Sequence, residues 1–308
     1  MSDARPAAES DARPAAESDT RVLPEPEWRE RAAAHRRRAD ALLEPHLARR
    51  RAGVPHPVFD FLFTYYSVRP GQLRVWHPGY GTVLAGAAAR GYLTRSGYGP
   101  HPAGATVERE HLHARIGTVS FIADLLGATA ARPPRFNCFG LHEWAMVYRA
   151  PTVRHSAVPL RLGAAGTDAV VDSMPLRCSH FDAYRFFTEP AARRNAQQLT
   201  RQSQSAVEQP GCVHAGMDLY KWSVKLGALI ESGLVLDCLQ LAVDARVLDM
   251  RASPYDLRGF GFEPIAVDTP GGRREYVRAQ EAVSERAAPL RARLLERCTG
   301  LLDTATGD

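Results

Sequence analysis

Between Cys138 and Trp222 the chain repeats one order of side chains three times, each time as a turn that runs into a helix. The segments are Cys138-Phe-Gly-Leu-His142-Glu143-Trp144 with Tyr148-Arg149 behind it, Cys178-Ser-His180-Phe-Asp182-Ala-Tyr184-Arg185-Phe186, and Cys212-Val-His214-Ala-Gly-Met-Asp218-Leu-Tyr220-Lys221-Trp222. A thiol, an imidazole and a carboxylate come in turn, then a tyrosine with a basic residue directly after it. Thiol, imidazole and carboxylate are the groups that bind metals or move protons. In the second and third segments the carboxylates Asp182 and Asp218 fall where the helix begins, a position from which Asp caps free N–H groups. In the first, His142 and Glu143 open a helix through Arg149.

The flanks read as mostly helical scaffold. Pro26 to about Arg51 is a basic helix that Pro45 is expected to divide. Phe59 to Tyr66 is dense enough in rings for a buried helix, and Trp76-His-Pro-Gly-Tyr-Gly81 is a turn-rich loop whose rings are candidates for a pocket wall. Glu108 to Leu126 has amphipathic spacing. Val158–Leu162 and Ala169–Val171 around a Gly-rich turn predict a β-hairpin, Ala191 to Ser205 a polar helix, and Glu263 to Asp268 a last strand. Helical periodicity returns from Met217 past Gly233 to Asp249 and again from about Arg274 to Arg297. No boundary separates two domains. The expectation is an α+β, predominantly helical single domain over 21–300. A disordered repeat tail over 1–20 would precede it, where Ser-Asp-Ala-Arg-Pro-Ala-Ala-Glu occurs twice, and a disordered tail over 301–308 would follow.

Composition excludes some classes. No apolar run approaches the ~20 residues of a membrane helix, and Met-Ser-Asp-Ala-Arg-Pro lacks the apolar core of a secretory signal. The expectation is therefore a cytoplasmic protein with no membrane partner. Five cysteines are too few and too scattered for a disulfide scaffold; Cys238 and Cys298 sit in apolar helical contexts as small buried hydrophobes. Lysine occurs only at 221 and 225, so the net charge of +5 is carried mostly by arginine. Guanidinium suits phosphate and flat rings, although a GC-rich genome produces the same bias.

Three chemistries fit the repeated segments. His142, His180 and His214 with one carboxylate would hold zinc or iron, for a hydrolase or oxygenase acting on a small molecule or for a purely structural centre. Neither Cys-x-x-Cys nor His-Glu-x-x-His is present to fix a particular metal. Glu143, Asp182 and Asp218 would serve acid–base work with no cofactor. A cysteine nucleophile paired with histidine is the third option.

Phe63-Thr-Tyr-Tyr66, Trp76-His-Pro-Gly-Tyr-Gly81, Cys138-Phe-Gly-Leu-His-Glu-Trp144, His180-Phe-Asp-Ala-Tyr-Arg-Phe-Phe187, Gln209-Pro-Gly-Cys-Val-His214, Met217-Asp-Leu-Tyr-Lys-Trp222 and Met250-Arg-Ala-Ser-Pro-Tyr-Asp-Leu257 together resemble a family of actinobacterial proteins. That family is commonly labelled 3-methyladenine DNA glycosylase, and it is not of the helix-hairpin-helix type. The resemblance covers about 50 to 290. It implies a DNA-repair enzyme that hydrolyses the N-glycosidic bond of alkylated purines such as 3-methyladenine, with DNA as partner and no cofactor. It carries over no catalytic residue, so roles follow from side-chain chemistry. Asp182, Asp218 and Glu143 are the candidate catalytic carboxylates. Trp144, Tyr184, Tyr220 and Trp222 are candidates for stacking on the base, and Arg185 and Lys221 for holding the backbone.

Overall fold

A helical core carries a small sheet at its N-terminal end. The computed structural model describes residues 20–151 and 158–307; the tail expected over 1–20 lies, Thr20 apart, outside the described residues. The helices are α1 (Glu25–Arg51), α2 (Phe61–Thr64), α3 (Pro70–Leu73), α4 (Arg109–Ala130), α5 (Leu141–Ala145) and α6 (Gly163–Ser173). After them come α7 (Phe181–Tyr184), α8 (Glu189–Arg194), α9 (Gln204–Val207), α10 (Val213–Leu226), α11 (Ser232–Arg251) and α12 (Pro270–Thr306). The strands β1 (Arg21–Leu23), β2 (Thr82–Ala85), β3 (Tyr98–His101) and β4 (Gly104–Val107) lie in the order β1-β2-β4-β3, with β1 parallel to β2 and the other pairs antiparallel. The chain is thus an α+β, predominantly helical single domain. Among the described residues no helix is long and apolar enough to cross a membrane.

At the centre α10 packs on α11 and α12, and α12 on α4. Met217, Leu219, Leu226, Leu236, Leu239, Ala242, Ala287 and Leu294 fill the space between them. The apolar positions recur at helical spacing, so each helix offers a stripe to its neighbours. Cys238 and Cys298 are both buried in this core, as small hydrophobes.

Several local expectations fail for identifiable reasons. Pro45 does not divide α1. It sits on the exposed face, as does Ala41 one turn earlier, so water can donate to the Ala41 carbonyl that Pro45 leaves without an N–H, while Leu43 and His46 stay buried. The predicted hairpin is replaced by α6, whose buried Thr167, Val170 and Val171 follow helical rather than alternating spacing; Leu160 instead bridges Tyr255. The polar helix expected over 191–205 stops at Arg194. There the Asn195 side chain accepts from the Cys178 N–H (2.8 Å) and donates to the Cys178 carbonyl (3.0 Å), drawing the backbone away. No strand forms over 263–268. That segment is tied to the end of α11, where Ile265 N–H donates to the Arg251 carbonyl (2.8 Å) and the Arg251 side chain donates to the Glu263 carbonyl. The last helix continues to Thr306, because Leu301 is buried against the core; a tail starting at 301 does not exist.

The rings of the Trp76–Gly81 loop do line pockets, Trp76 beside Trp28 and Tyr92 and His77 in another, but neither is the pocket formed by the three repeated segments. The loop is zipped to the start of α11: Ser232 N–H donates to the His77 carbonyl, and Tyr80 N–H to the Leu229 carbonyl. His77 Nδ1 lies 3.1 Å from the Tyr98 hydroxyl, and burial, with Arg95 and His35 adding, lowers its pKa to about 4. The unfolded chain binds a proton near pH 6.5 that the fold refuses until about pH 4. Stability is therefore expected to fall as pH drops through this window, by up to ~3 kcal/mol at ~1.4 kcal/mol per pKa unit. Urea melts of wild type and His77→Gln at pH 7, 5.5 and 4.5 measure this; an unchanged slope in the variant would contradict it.

Candidate functional site

Each repeated segment uses a different local device to place its groups. In the first, Phe139 and Gly140 adopt positive φ (49° and 68°) and Leu141 N–H returns to the Cys138 carbonyl. A Cβ at 140 would come within 3.2 Å of Ala252 and Tyr276, so glycine answers both the backbone and the space. In the second, His180 rather than Asp182 caps the helix, its Nδ1 accepting from Ala183 N–H (3.3 Å). In the third, Cys212 occupies the cap position and Asp218 lies in the second turn of α10. The capping role expected of Asp182 and Asp218 is therefore not theirs, since both side chains are drawn to a cation instead.

That cation is Lys221, whose Nζ donates to Asp218 Oδ2 (2.5 Å) and Asp182 Oδ2 (2.7 Å). Asp218 also accepts from the Tyr66 hydroxyl (2.9 Å) and lies 3.3 Å from His180 Nε2. Burial alone would raise the Asp218 pKa, but Lys221 and His180 hold it far below the usual carboxylate range. Asp182 is lowered in the same way, burial being outweighed by Lys221. Burial opposes charge on His180 too, yet its bond to Asp218 and the nearby Glu208 raise its pKa. A second buried cation, Arg246, donates from Nη1 to Glu143 Oε1 (2.8 Å) and Asp249 Oδ2 (2.7 Å).

These groups surround a pocket of about 230 Å³ lined by Phe61, Tyr65, Tyr66, Phe186, Met146, Glu143, Asp182, Ala183, Asp218, His180, His214 and Arg246. Tyr65, Tyr66 and Asp182 also line a shallower groove outside it, together with Arg185, Arg201, Lys221 and Lys225. Arg185, Arg201 and Lys225 are exposed. The charge thus changes sign from carboxylates inside to guanidinium and ammonium at the mouth.

A second, much smaller cavity of about 20 Å³ also reaches His214 and is lined by Cys138, Cys178, Cys212 and His142. Burial pushes the Cys178 thiol up to about 12 and raises Cys138 and Cys212 as well. Held protonated, they are poor nucleophiles, so the cysteine-nucleophile option loses its basis.

The three segments converge, which their order along the chain left open. The ring centroids of His142 and His214 are 4.3 Å apart, and those of His180 and His214 5.3 Å. His180 does not join the other two as a metal ligand, because its Nδ1 serves the α7 cap and its Nε2 faces Asp218. The group whose ligand atoms converge, all within 4.8 Å of one another, is His142, His214 and Asp249. The expected stacking rings are also redistributed. Trp144 is buried and donates to the Ala252 carbonyl (2.8 Å); Tyr184 is buried and donates to Gln198. Tyr220 backs Tyr66 edge-on (5.6 Å), and Trp222 packs edge-on against Phe121 with Lys221 Nζ 4.1 Å from its ring centroid. These four are core. Arg185 stays at the mouth of the pocket, and Lys221 becomes the bridge between two carboxylates.

Arg246, Asp249, Glu208, Arg201 and the rings of Phe61, Tyr65 and Phe186 were not singled out from sequence. A signal existed for the first two: Arg246 and Asp249 lie three apart in the otherwise apolar Leu-Ala-Val-Asp-Ala-Arg-Val-Leu-Asp-Met run of α11, where an ion pair must be turned inward. No protein-family model, curated protein or solved structure matches the chain.

Lys221 is the site's most exacting structural residue. Lys221→Ala would leave Asp182 and Asp218 facing each other, and we expect a loss of ~3–5 kcal/mol at pH 7. In the Lys221→Ala/Asp218→Asn double variant part of that loss should be recovered. A double-mutant cycle by urea unfolding measures the coupling, and strictly additive losses would refute it.

Proposed function

We propose that the protein hydrolyses the N-glycosidic bond of alkylated purines in DNA. The observation that carries this reading is the inversion of charge between pocket and mouth. A ring-lined, carboxylate-walled pocket opens into a groove bearing Arg185, Arg201 and Lys225. A purine alkylated at a ring nitrogen is a cation, and a flipped nucleotide brings that cation inward while its phosphates stay outside. The rings of Phe61, Tyr65, Tyr66 and Phe186 suit a flat cation. The basic mouth suits the backbone. The resemblance of the sequence motifs to the 3-methyladenine DNA glycosylase family points the same way.

The chemistry asked of the protein is modest. As the C1′–N bond breaks, its electron pair neutralises the departing base, so no strong general acid is required. Positive charge develops on the sugar, and water adds to C1′ with loss of a proton. Asp218, held ionised by Lys221, Tyr66 and His180, is a fixed negative charge in a desolvated wall and is assigned to stabilise that sugar cation. Asp182 adds to the same field. Glu143, steadied through Oε1 by Arg246, is assigned to orient the water.

The test is release of free base from methylated duplex DNA. Wild type should release 3-methyladenine, and Asp218→Asn should lose ~10²–10³-fold in rate, the scale of removing one preorganised electrostatic group. Tyr65→Ala, outside the buried ion network, should cut release while leaving the melting temperature nearly unchanged. Replacing both Arg185 and Arg201 by Ala should lower the slope of log K against log salt by ~1.8, at ~0.9 per phosphate contact. No release from folded wild-type protein would refute the reading.

A further inference from the structure

We infer that His142, His214 and Asp249 form a site for one divalent transition-metal ion on the inner wall of the pocket. They come from three elements, α5, α10 and α11, and their ligand atoms all lie within 4.8 Å of one another. His142 Nε2 and Asp249 Oδ1 are 2.6 Å apart, and His214 Nε2 is 3.9 Å from Asp249 Oδ2. His142 Nε2 and Asp249 Oδ1 face each other as a close ion pair whose angles are poor for a hydrogen bond, and no other described group bonds either atom. Both side chains are more than nine-tenths buried. With His214 beside that buried pair, the three side chains present the donor set that one cation would gather.

Zinc bonds nitrogen and oxygen at ~2.0–2.2 Å, which puts neighbouring donors ~3.3–3.5 Å apart on a tetrahedron. The His142–Asp249 Oδ1 separation of 2.6 Å must open to reach that value, and all three donors already lie within 4.8 Å of one another. Two histidines and one carboxylate are the protein set of catalytic zinc sites and of non-haem iron sites, and both leave positions for water. The arrangement around the three ligands fits as well. Asp249 Oδ2 accepts from Arg246, which fixes the carboxylate and leaves Oδ1 for the ion. His214 is the ligand that also lines the aromatic pocket, so water on the ion would stand beside the substrate space. Water on such an ion is acidified toward pKa ~7, which supplies the nucleophile that the deeply ionised Asp218 is a weak base to generate. This inference goes beyond the base-excision reading and stands or falls without it.

The test reads the ion directly. Chelator-stripped, refolding-competent full-length protein is titrated with Co²⁺, followed by its visible ligand-field bands, and separately with Zn²⁺ by calorimetry. Wild type should take up one equivalent of either, and the melting temperature should rise on loading. His142→Gln and His214→Gln, each shown folded by circular dichroism, should weaken binding at least tenfold. His180→Gln should keep one equivalent, since its nitrogens serve the helix cap and Asp218. Failure of folded wild type to bind either ion overturns the site. Equal binding by wild type and the His142→Gln/His214→Gln double variant overturns it also. Neither readout involves base release, so a protein that binds the ion and releases no base would refute the proposed activity and leave the metal site standing.

Discussion

Lys221 and Arg246 each carry a full charge into the interior, and each stays there only because two carboxylates close on it. Lys221 takes Asp182 and Asp218; Arg246 takes Glu143 and Asp249. An unpaired charge at such depth would cost several kcal/mol, whereas one ion pair at 4 Å is worth about 4 kcal/mol at an effective dielectric constant of 20. The pairing also positions elements that could not hold themselves. The four-residue α7 and five-residue α5 are far below the length at which a helix is stable alone. Each instead offers a carboxylate to a cation on a long, core-packed helix, α7 to α10 and α5 to α11. The ion pairs place the short helices, and the short helices place His180 and His142.

The same arrangement explains the pocket's polarity. Both cations are committed to carboxylates inside, so the positive charge facing an incoming molecule lies outside, on Lys225 and on Arg185 and Arg201, which reach back to Asp182 at 3.5 and 3.9 Å. Arg185 stacks over Phe186 at 4.1 Å and reaches the Tyr65 hydroxyl, which ties the basic mouth to the rings that line the interior. A ligand that crosses this boundary meets cations first and carboxylates second. Such a gradient favours a molecule that is itself anionic at one end and cationic at the other, and disfavours one of uniform sign.

Much of this was legible in the residues, and the losses have physical causes. Helical spacing marked α4, α10 and α11 because their apolar stripes are long enough to average over exceptions. The small sheet went unseen because its strands are three or four residues long, too short to show alternation, and Tyr98-Gly-Pro-His101 carries two residues that weaken any strand signal. Pro45 misled because its consequence depends on which face it occupies, a tertiary property. Residues that line the cavities were legible where chemistry is written in residue type, as with Asp182, Asp218, Glu143 and the histidines. They were misassigned where depth decides the role. Trp144 and Tyr220 have the right rings and the wrong position, while Tyr65 and Phe61, in a stretch read as core, stand at the pocket.

Depth also accounts for the repeated order itself. In all three segments the cysteine, the first group, lines the inner cavity, and the carboxylate, the last of the three, lines the outer pocket. The histidines lie between: His142 borders the inner cavity, His180 the outer pocket, and His214 both. Each segment therefore enters the site at the thiol layer and leaves it through the imidazole layer to the carboxylate layer. The order along the chain is an order in space, from thiols at the inner cavity through imidazoles to carboxylates facing the pocket. Three segments with different turns and different caps satisfy one radial gradient of polarity, so they converge on one order of residues without needing a common backbone geometry. Sequence repetition of this kind reports a layered site, and the layer in which a residue falls, more than its chemical type, sets what it does there.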